Sequence, residues 1–248
     1  MTDWLRRFHP ADDAEARLVC LPHAGGSANY FFPVSRALAN RLDVLCVQYP
    51  GRQDRRREPC ISTIEEMADR VAEELTPWAD RPLAFFGHSM GAIVAFEAAL
   101  RLEAAGITPA VLFLSGRRSP STFRLETNHL LPDKELVQEL RGMQGTDASL
   151  LDDQDIVDMI LPSLRSDYKA VETYDNRTAG AVSCPIVVCN GDKDPMVTAA
   201  EAAAWEKHTT GGFDLRTFRG GHFYLNDHAA ALIALIAQKV KTVVPAAA

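Results

Sequence analysis

Two hydrophobic periods take turns along this chain. Residues 17–22 (RLVCLP) and 42–49 (LDVLCVQY) are short apolar runs that stop at turn residues, as buried strands do. Residues 64–75 instead place Met67, Val71 and Leu75 four apart, with acidic side chains between them. That spacing predicts an amphipathic helix, and Thr63 with Glu66 makes a capping-box pattern at its start. Residues 83–86 read as the next buried strand. Residues 92–105 are rich in strong helix formers and are followed by the stop signal Gly106. Further strands are predicted at 110–114, 185–189 and 215–218, with helices at 199–207 and about 227–240.

Strands separated by helices predict a mostly parallel sheet covered on both faces. The expected unit is one α/β domain spanning 1–248. One interval breaks the rhythm. Between Gly116 and Ser183 the chain has apolar residues at helical spacing in 135–140 and 156–164, but no buried-strand pattern. A long insertion after a central strand predicts a helical lid, placed at 117–174.

The chemistry centres on Gly87-His88-Ser89-Met90-Gly91, a G-x-S-x-G pattern between a predicted strand and a predicted helix. A sharp turn there lifts a serine hydroxyl out of the sheet, and flanking glycines remove side chains that would collide across it. Ser89 is therefore the expected nucleophile. Pro22-His23-Ala24-Gly25-Gly26-Ser27 follows an early strand. Backbone N–H groups of Ala24 and Met90 are expected to form an oxyanion hole. A phosphate loop is the competing reading of that glycine-rich turn, but neither G-x-G-x-x-G nor a P-loop pattern is present.

A serine hydroxyl needs a base, and the chain has seven histidines. His222, in Gly220-Gly221-His222-Phe223, lies after the last predicted strand and before the last helix. His228 is the runner-up, on the final helix. The acid is expected in Asn190-Gly191-Asp192-Lys193-Asp194-Pro195. Asp194 is preferred to Asp192, since it stands three after the loop glycine. Its role is to fix the histidine tautomer and stabilise the imidazolium. The chain order Ser, acid, His is that of the α/β-hydrolase fold.

Composition narrows the picture. The chain is 47% hydrophobic and 24% charged, ordinary for a globular domain. No apolar run reaches the ~20 residues that span a bilayer. The polar first seventeen residues lack a signal-peptide core, so a cytoplasmic location is expected, with no membrane partner. A net charge of −7 disfavours nonspecific nucleic-acid binding. Five cysteines without paired spacing argue against a disulfide framework or a zinc site, and no metal is expected.

LPHAGGSA near the N-terminus, QYPGR, FGHSMGA, GDKDPMV and GGHFYL together resemble the stand-alone type II thioesterases of polyketide and nonribosomal peptide synthesis. The resemblance covers nearly the whole chain. It implies hydrolysis of acyl thioesters from the phosphopantetheine arm of acyl or peptidyl carrier proteins, met in trans, with no cofactor of the enzyme's own. A medium-chain thioesterase serving fatty acid synthase and a small-molecule carboxylesterase share the same triad. A binding protein on this fold is disfavoured, since Ser89, Asp194 and His222 are all present. Carriers of this kind usually present an acidic helix. In an acidic enzyme any attraction must come from local patches, and the candidates are Arg52, Arg55, Arg56 and Arg57, with Arg117 and Arg118 at the lid entrance.

Overall fold

The computed structural model describes residues 3–143, 151–176 and 180–244. Its centre is a seven-stranded sheet ordered β1-β3-β2-β4-β5-β6-β7. The strands are β1 (Leu5–Arg6), β2 (Arg17–Leu21), β3 (Asp43–Val47), β4 (Leu83–His88), β5 (Val111–Ser115), β6 (Ile186–Gly191) and β7 (Phe213–Phe218). Only β1 runs antiparallel, against β3; the other pairings are parallel. The helices are α1 (Phe32–Leu38), α2 (Ile64–Leu75), α3 (Met90–Ala104), α4 (Asp133–Met143), α5 (Gln154–Thr173), α6 (Ala199–Ala203), α7 (Tyr224–Asp227) and α8 (Ala229–Val243).

The strands are apolar throughout because both faces of the sheet are covered. Successive residues of β2 show it. Val19 and Leu21 join the core under α2 and α3, while Leu18 and Cys20 join the core beneath α8. In β4, Leu83 and Phe85 go to the first core, and Ala84 and Phe86 to the second. Helix α2 inserts Met67, Val71 and Leu75 into the first core, each burial contributing roughly 1.5–3 kcal/mol. Of the expected capping box one half forms, with Thr63 Oγ1 accepting from the Glu66 N–H.

Helix α3 lies against β4 and is buried nearly all round, from Met90 to Ala99. Its small alanines let it sit close to the sheet, and its first residue immediately follows Ser89. The described part of 117–174 contains α4 and α5 and no strand. These helices build a small core of their own from Leu136, Val157, Leu161, Leu164 and Tyr168. β1 and α1 stand outside the sequence expectations. β1 is two residues long, and α1 carries exposed Phe32, so neither presents a clear period. The last predicted helix, about 227–240, is α8; His228, expected on it, lies just before it, with its backbone outside the helical region between α7 and α8.

Candidate active site

The site begins as a backbone constraint. Ser89 lies between β4 and α3 with φ 54° and ψ −116°, a conformation that costs a non-glycine residue about 1–3 kcal/mol. Neighbouring structure holds it there. The Ser89 N–H donates to the Ser115 carbonyl at 2.8 Å, and the Ala92 N–H donates to the Ser89 carbonyl at 3.0 Å. A Cβ on Gly87 would stand 2.1 Å from the Gly91 carbonyl oxygen, and one on Gly91 would stand 2.1 Å from that of Leu21. No side chain fits at either glycine without moving backbone.

His222 and Asp194 come from two loops at the same edge of the sheet. Asp194 follows β6, and its Oδ1 accepts the Met196 N–H at 2.8 Å. Its carboxylate also faces His222 Nδ1, at 2.9 Å from Oδ2 and 3.1 Å from Oδ1. The carboxylate is fully buried and the imidazole nearly so. With Nδ1 donating, Nε2 of the neutral ring is the free acceptor. Asp192 does something else. Its Oδ1 accepts the Gly220 N–H at 2.8 Å, and the Lys193 N–H donates to the Gly220 carbonyl at 2.9 Å. Asp192 thus ties down the turn that delivers His222. His228 is engaged elsewhere, with Nε2 bonded to the Arg219 carbonyl at 2.8 Å.

Two further histidines line the base of the site, and neither carries charge at neutral pH. His88 is fully buried, with Nδ1 2.9 Å from Ser115 Oγ, which in turn lies 2.7 Å from the Tyr224 hydroxyl. Burial, with His222 nearby, pushes His23 down to about 3 and His88 well below the usual histidine range. Phe223 meets the rings of His23, His88 and His222 edge-on, at centroid distances of 4.8, 5.1 and 5.3 Å. Gly116, at φ 59°, lets the chain after β5 pass close to these rings. A Cβ there would lie 2.7 Å from His88 Cε1 and 3.4 Å from His222 Cε1. His23 and His88 flank backbone elements of the site in sequence; the buried polar link through Ser115 and Tyr224 had no local signal.

The glycine-rich turn after β2 is held from outside. Asp167, on α5 and fully buried, accepts the Gly25 N–H at 2.8 Å. The same carboxylate takes two bonds from Arg52, at 2.6 and 2.8 Å. Arg52 also donates to the Gly26 carbonyl at 3.2 Å and lies 5.2 Å over the Tyr49 ring. Leu164 packs on Gly25 so closely that a Cβ there would stand 2.9 Å from Leu164 Cδ1. One buried ion pair therefore connects the loop after β3, the turn carrying Ala24, and helix α5.

Ser89 and His222 open into one cavity, together with Ala24 and Gly25. Its far wall comes from the insertion, through Leu140, Ile160, Leu164 and Tyr168. The arginines expected at a carrier contact do not form one surface. Arg55 is buried, donates to both carboxylate oxygens of Glu58 at 2.8 and 2.6 Å, and stacks over Trp4. Arg118 is buried against Glu126. Arg117 is buried and faces the cavity instead of the rim. Arg52 is the inner half of the ion pair just described. Arg56 and Arg57 alone of the six are exposed. A run of arginines in sequence does not reveal which ones find internal partners. Among the described residues, no group of three or more His, Cys, Asp or Glu is placed to hold a metal ion. No described helix is long and apolar enough to cross a membrane.

Residues 16–240 match the family model described as Thioesterase domain. A thioesterase of Streptomyces venezuelae, PikA5, is 51% identical over 226 residues, covering 90% of this chain and 80% of the relative. A probable cadicidin biosynthesis thioesterase of Streptomyces griseus is 49% identical over 235 residues; this chain spans 65% of its length, and the match covers 95% of this chain. Among solved structures, the type II thioesterase BorB from the borrelidin biosynthetic cluster superposes with a TM-score of 0.91 at 49% identity. That match covers 96% of this chain and 98% of BorB.

Breaking the Arg52–Asp167 pair from one side leaves a buried charge alone. Asp167→Ala is expected to lose about 3–5 kcal/mol of stability, whereas Arg56→Ala, on the exposed neighbour, should change it by less than about 0.5 kcal/mol. Urea unfolding of the two variants measures both. A loss below about 1 kcal/mol in Asp167→Ala would show that the pair does not anchor α5.

Proposed function

The chain belongs to the thioesterase family, and from that premise we propose that it hydrolyses acyl thioesters through an acyl-Ser89 intermediate. The observation that carries the reading is the His222–Asp194 pair opening into the same cavity as a serine held on a strained strand-to-helix turn. In the first step Ser89 Oγ attacks the thioester carbonyl carbon, and its proton passes to His222 Nε2. The C=O π electrons move onto the carbonyl oxygen, where the backbone N–H groups of Met90 and Ala24 stabilise the negative charge. The intermediate collapses by breaking the C–S bond, and His222 returns the proton to the leaving sulfur. Water then repeats the sequence on the Ser89 ester, with His222 taking its proton. The acyl group leaves as a carboxylic acid and Ser89 regains its hydroxyl. Asp194 keeps the proton on Nδ1 and stabilises the imidazolium formed in each half-reaction. The steps consume only thioester and water.

The substrate proposed is an acyl group on the phosphopantetheine arm of a carrier protein in polyketide or nonribosomal peptide synthesis. Support comes from the sequence motifs and from relatives named for cadicidin and borrelidin biosynthesis. Residues 117–174 act as a lid in this reading, since α4 and α5 form one wall of the cavity that Ser89 enters. Support for a docking role at Arg56 and Arg57 is that both are exposed, unlike the other four candidates.

Ser89→Ala should lose several orders of magnitude in turnover while keeping its fold. Asp194→Asn should be far more damaging than Asp192→Asn, which loosens only the turn. Rates on one acyl-carrier protein decide both; near-normal turnover by folded Ser89→Ala removes the nucleophile assignment. Acyl-carrier protein should also be hydrolysed faster than the matching acyl-CoA or a simple ester, and the reverse order would favour an esterase. Replacing Arg56 and Arg57 with Gln should lower kcat/KM for the carrier substrate at low salt, with a small thioester unaffected. An equal loss on both would remove the docking role.

A further inference from the structure

Among the described residues, the buried arginines are paired with carboxylates, with one exception. Arg52 makes two bonds to Asp167, Arg118 two to Glu126, and Arg55 two to Glu58. Arg117 is as buried as these, at 7% exposure, yet it has no such carboxylate. Its one hydrogen bond among the described residues runs from Nη2 to the Val171 carbonyl at 3.5 Å, the long limit for such a bond. Its buried Nε has no partner among the described residues. Leaving a buried charged donor unmatched is costly, so the site calls for an acceptor from elsewhere.

Arg117 borders two pockets, a smaller one shared with Arg118 and Tyr174 and the one in which a substrate can supply the acceptor. Arg117 lines the cavity that contains Ser89 and His222. Its backbone is fixed, with Trp205 Nε1 donating to its carbonyl at 2.8 Å and the Gly116 N–H before it bonded to the Cys189 carbonyl at 2.9 Å. The apolar part of the lining includes Leu140, Ile160, Leu164 and Val171. Burial and the neighbouring Arg118 hold the guanidinium down to about 9, so it is still protonated at neutral pH.

Local charge selects the kind of acceptor. Two carboxylates, Glu126 and Glu172, also line the cavity, and both favour the charged form of Arg117. Glu126 is engaged with Arg118, and Glu172 with the backbone N–H groups of Asn128 and His129 and the His129 ring. Charge is balanced while hydrogen-bond donors are not. A neutral oxygen suits that arrangement better than a further anion.

We propose that Arg117 determines acyl specificity by donating a hydrogen bond to a keto or hydroxyl oxygen carried on the acyl chain, so that oxygenated acyl thioesters are hydrolysed faster than saturated chains of equal length. The proposal rests on the thioesterase reading above and names the substrate class for the same site. A hydrogen bond from a charged buried donor is worth about a tenfold preference or more.

The test compares N-acetylcysteamine thioesters of one chain length, saturated or bearing a hydroxyl or keto group at C3 or C5. The expected wild-type result is a kcat/KM at least about tenfold higher for one or more oxygenated chains. In Arg117→Met that preference should vanish, with oxygenated and saturated chains hydrolysed within about twofold of each other, and Arg117→Lys should restore part of it. A ratio between two substrates is insensitive to partial misfolding, and the wild-type comparison stands even if a variant fails to fold. Equal rates on all chains in the wild type, a preference that survives in Arg117→Met, or an equal loss on every thioester would overturn the proposal. Failure to hydrolyse any thioester would instead overturn the thioesterase reading.

Discussion

The turn at Ser89 is the constraint on which the rest of the structure depends. A non-glycine residue with φ 54° is stable only if its surroundings leave no alternative. Here α3 must begin at once after β4, and its first turn must press against the end of β2. Gly91 meets the Leu21 carbonyl and Gly87 meets Gly91 at distances no side chain tolerates. Those contacts require β2 and β4 to be adjacent and parallel, as they are. The apolar saturation of the strands and the alanine-rich helix serve the same end, since both let helix and sheet close tightly around one serine.

Around that turn several polar groups are held by hydrogen bonds among buried side chains. Asp194 is satisfied by Met196 and His222. Asp192 holds the glycine turn that presents His222. The neutral rings of His23 and His88, with Phe223, fill the space beneath it. The Arg52–Asp167 pair extends this order to the insertion, because one carboxylate bonds both the guanidinium and the Gly25 N–H. Helix α5 and the turn bearing Ala24 therefore share an anchor. Displacing α5 would disturb that turn as well as open the cavity.

The fold was legible where burial imposed a period. β2, β3, β4, β5 and β6 are covered on both faces and read as continuous apolar runs, while α2 shows its buried face every four residues. β7 was found without its first two residues, Phe213 and Asp214, because its residues are mostly half-exposed. β1 and α1 are too short, or too weakly patterned, to register. At the site, the serine turn announced itself through glycines that local geometry demands. The arginines did not. Arg52 meets Asp167 across 115 positions and Arg117 ends in a cavity walled by α5, contacts that no local spacing encodes. A charged run looks like a surface until tertiary structure supplies its partners.

The central claim is that chemistry passes through Ser89. Rapid mixing with a stoichiometric acyl-carrier protein, followed by acid quench and mass spectrometry of the digested enzyme, measures it directly. The account predicts a transient mass increase equal to the acyl group, minus one hydrogen, on the peptide containing Ser89, decaying as free acid appears. Acid released at the same rate with no adduct, or with the adduct on another residue, would contradict it.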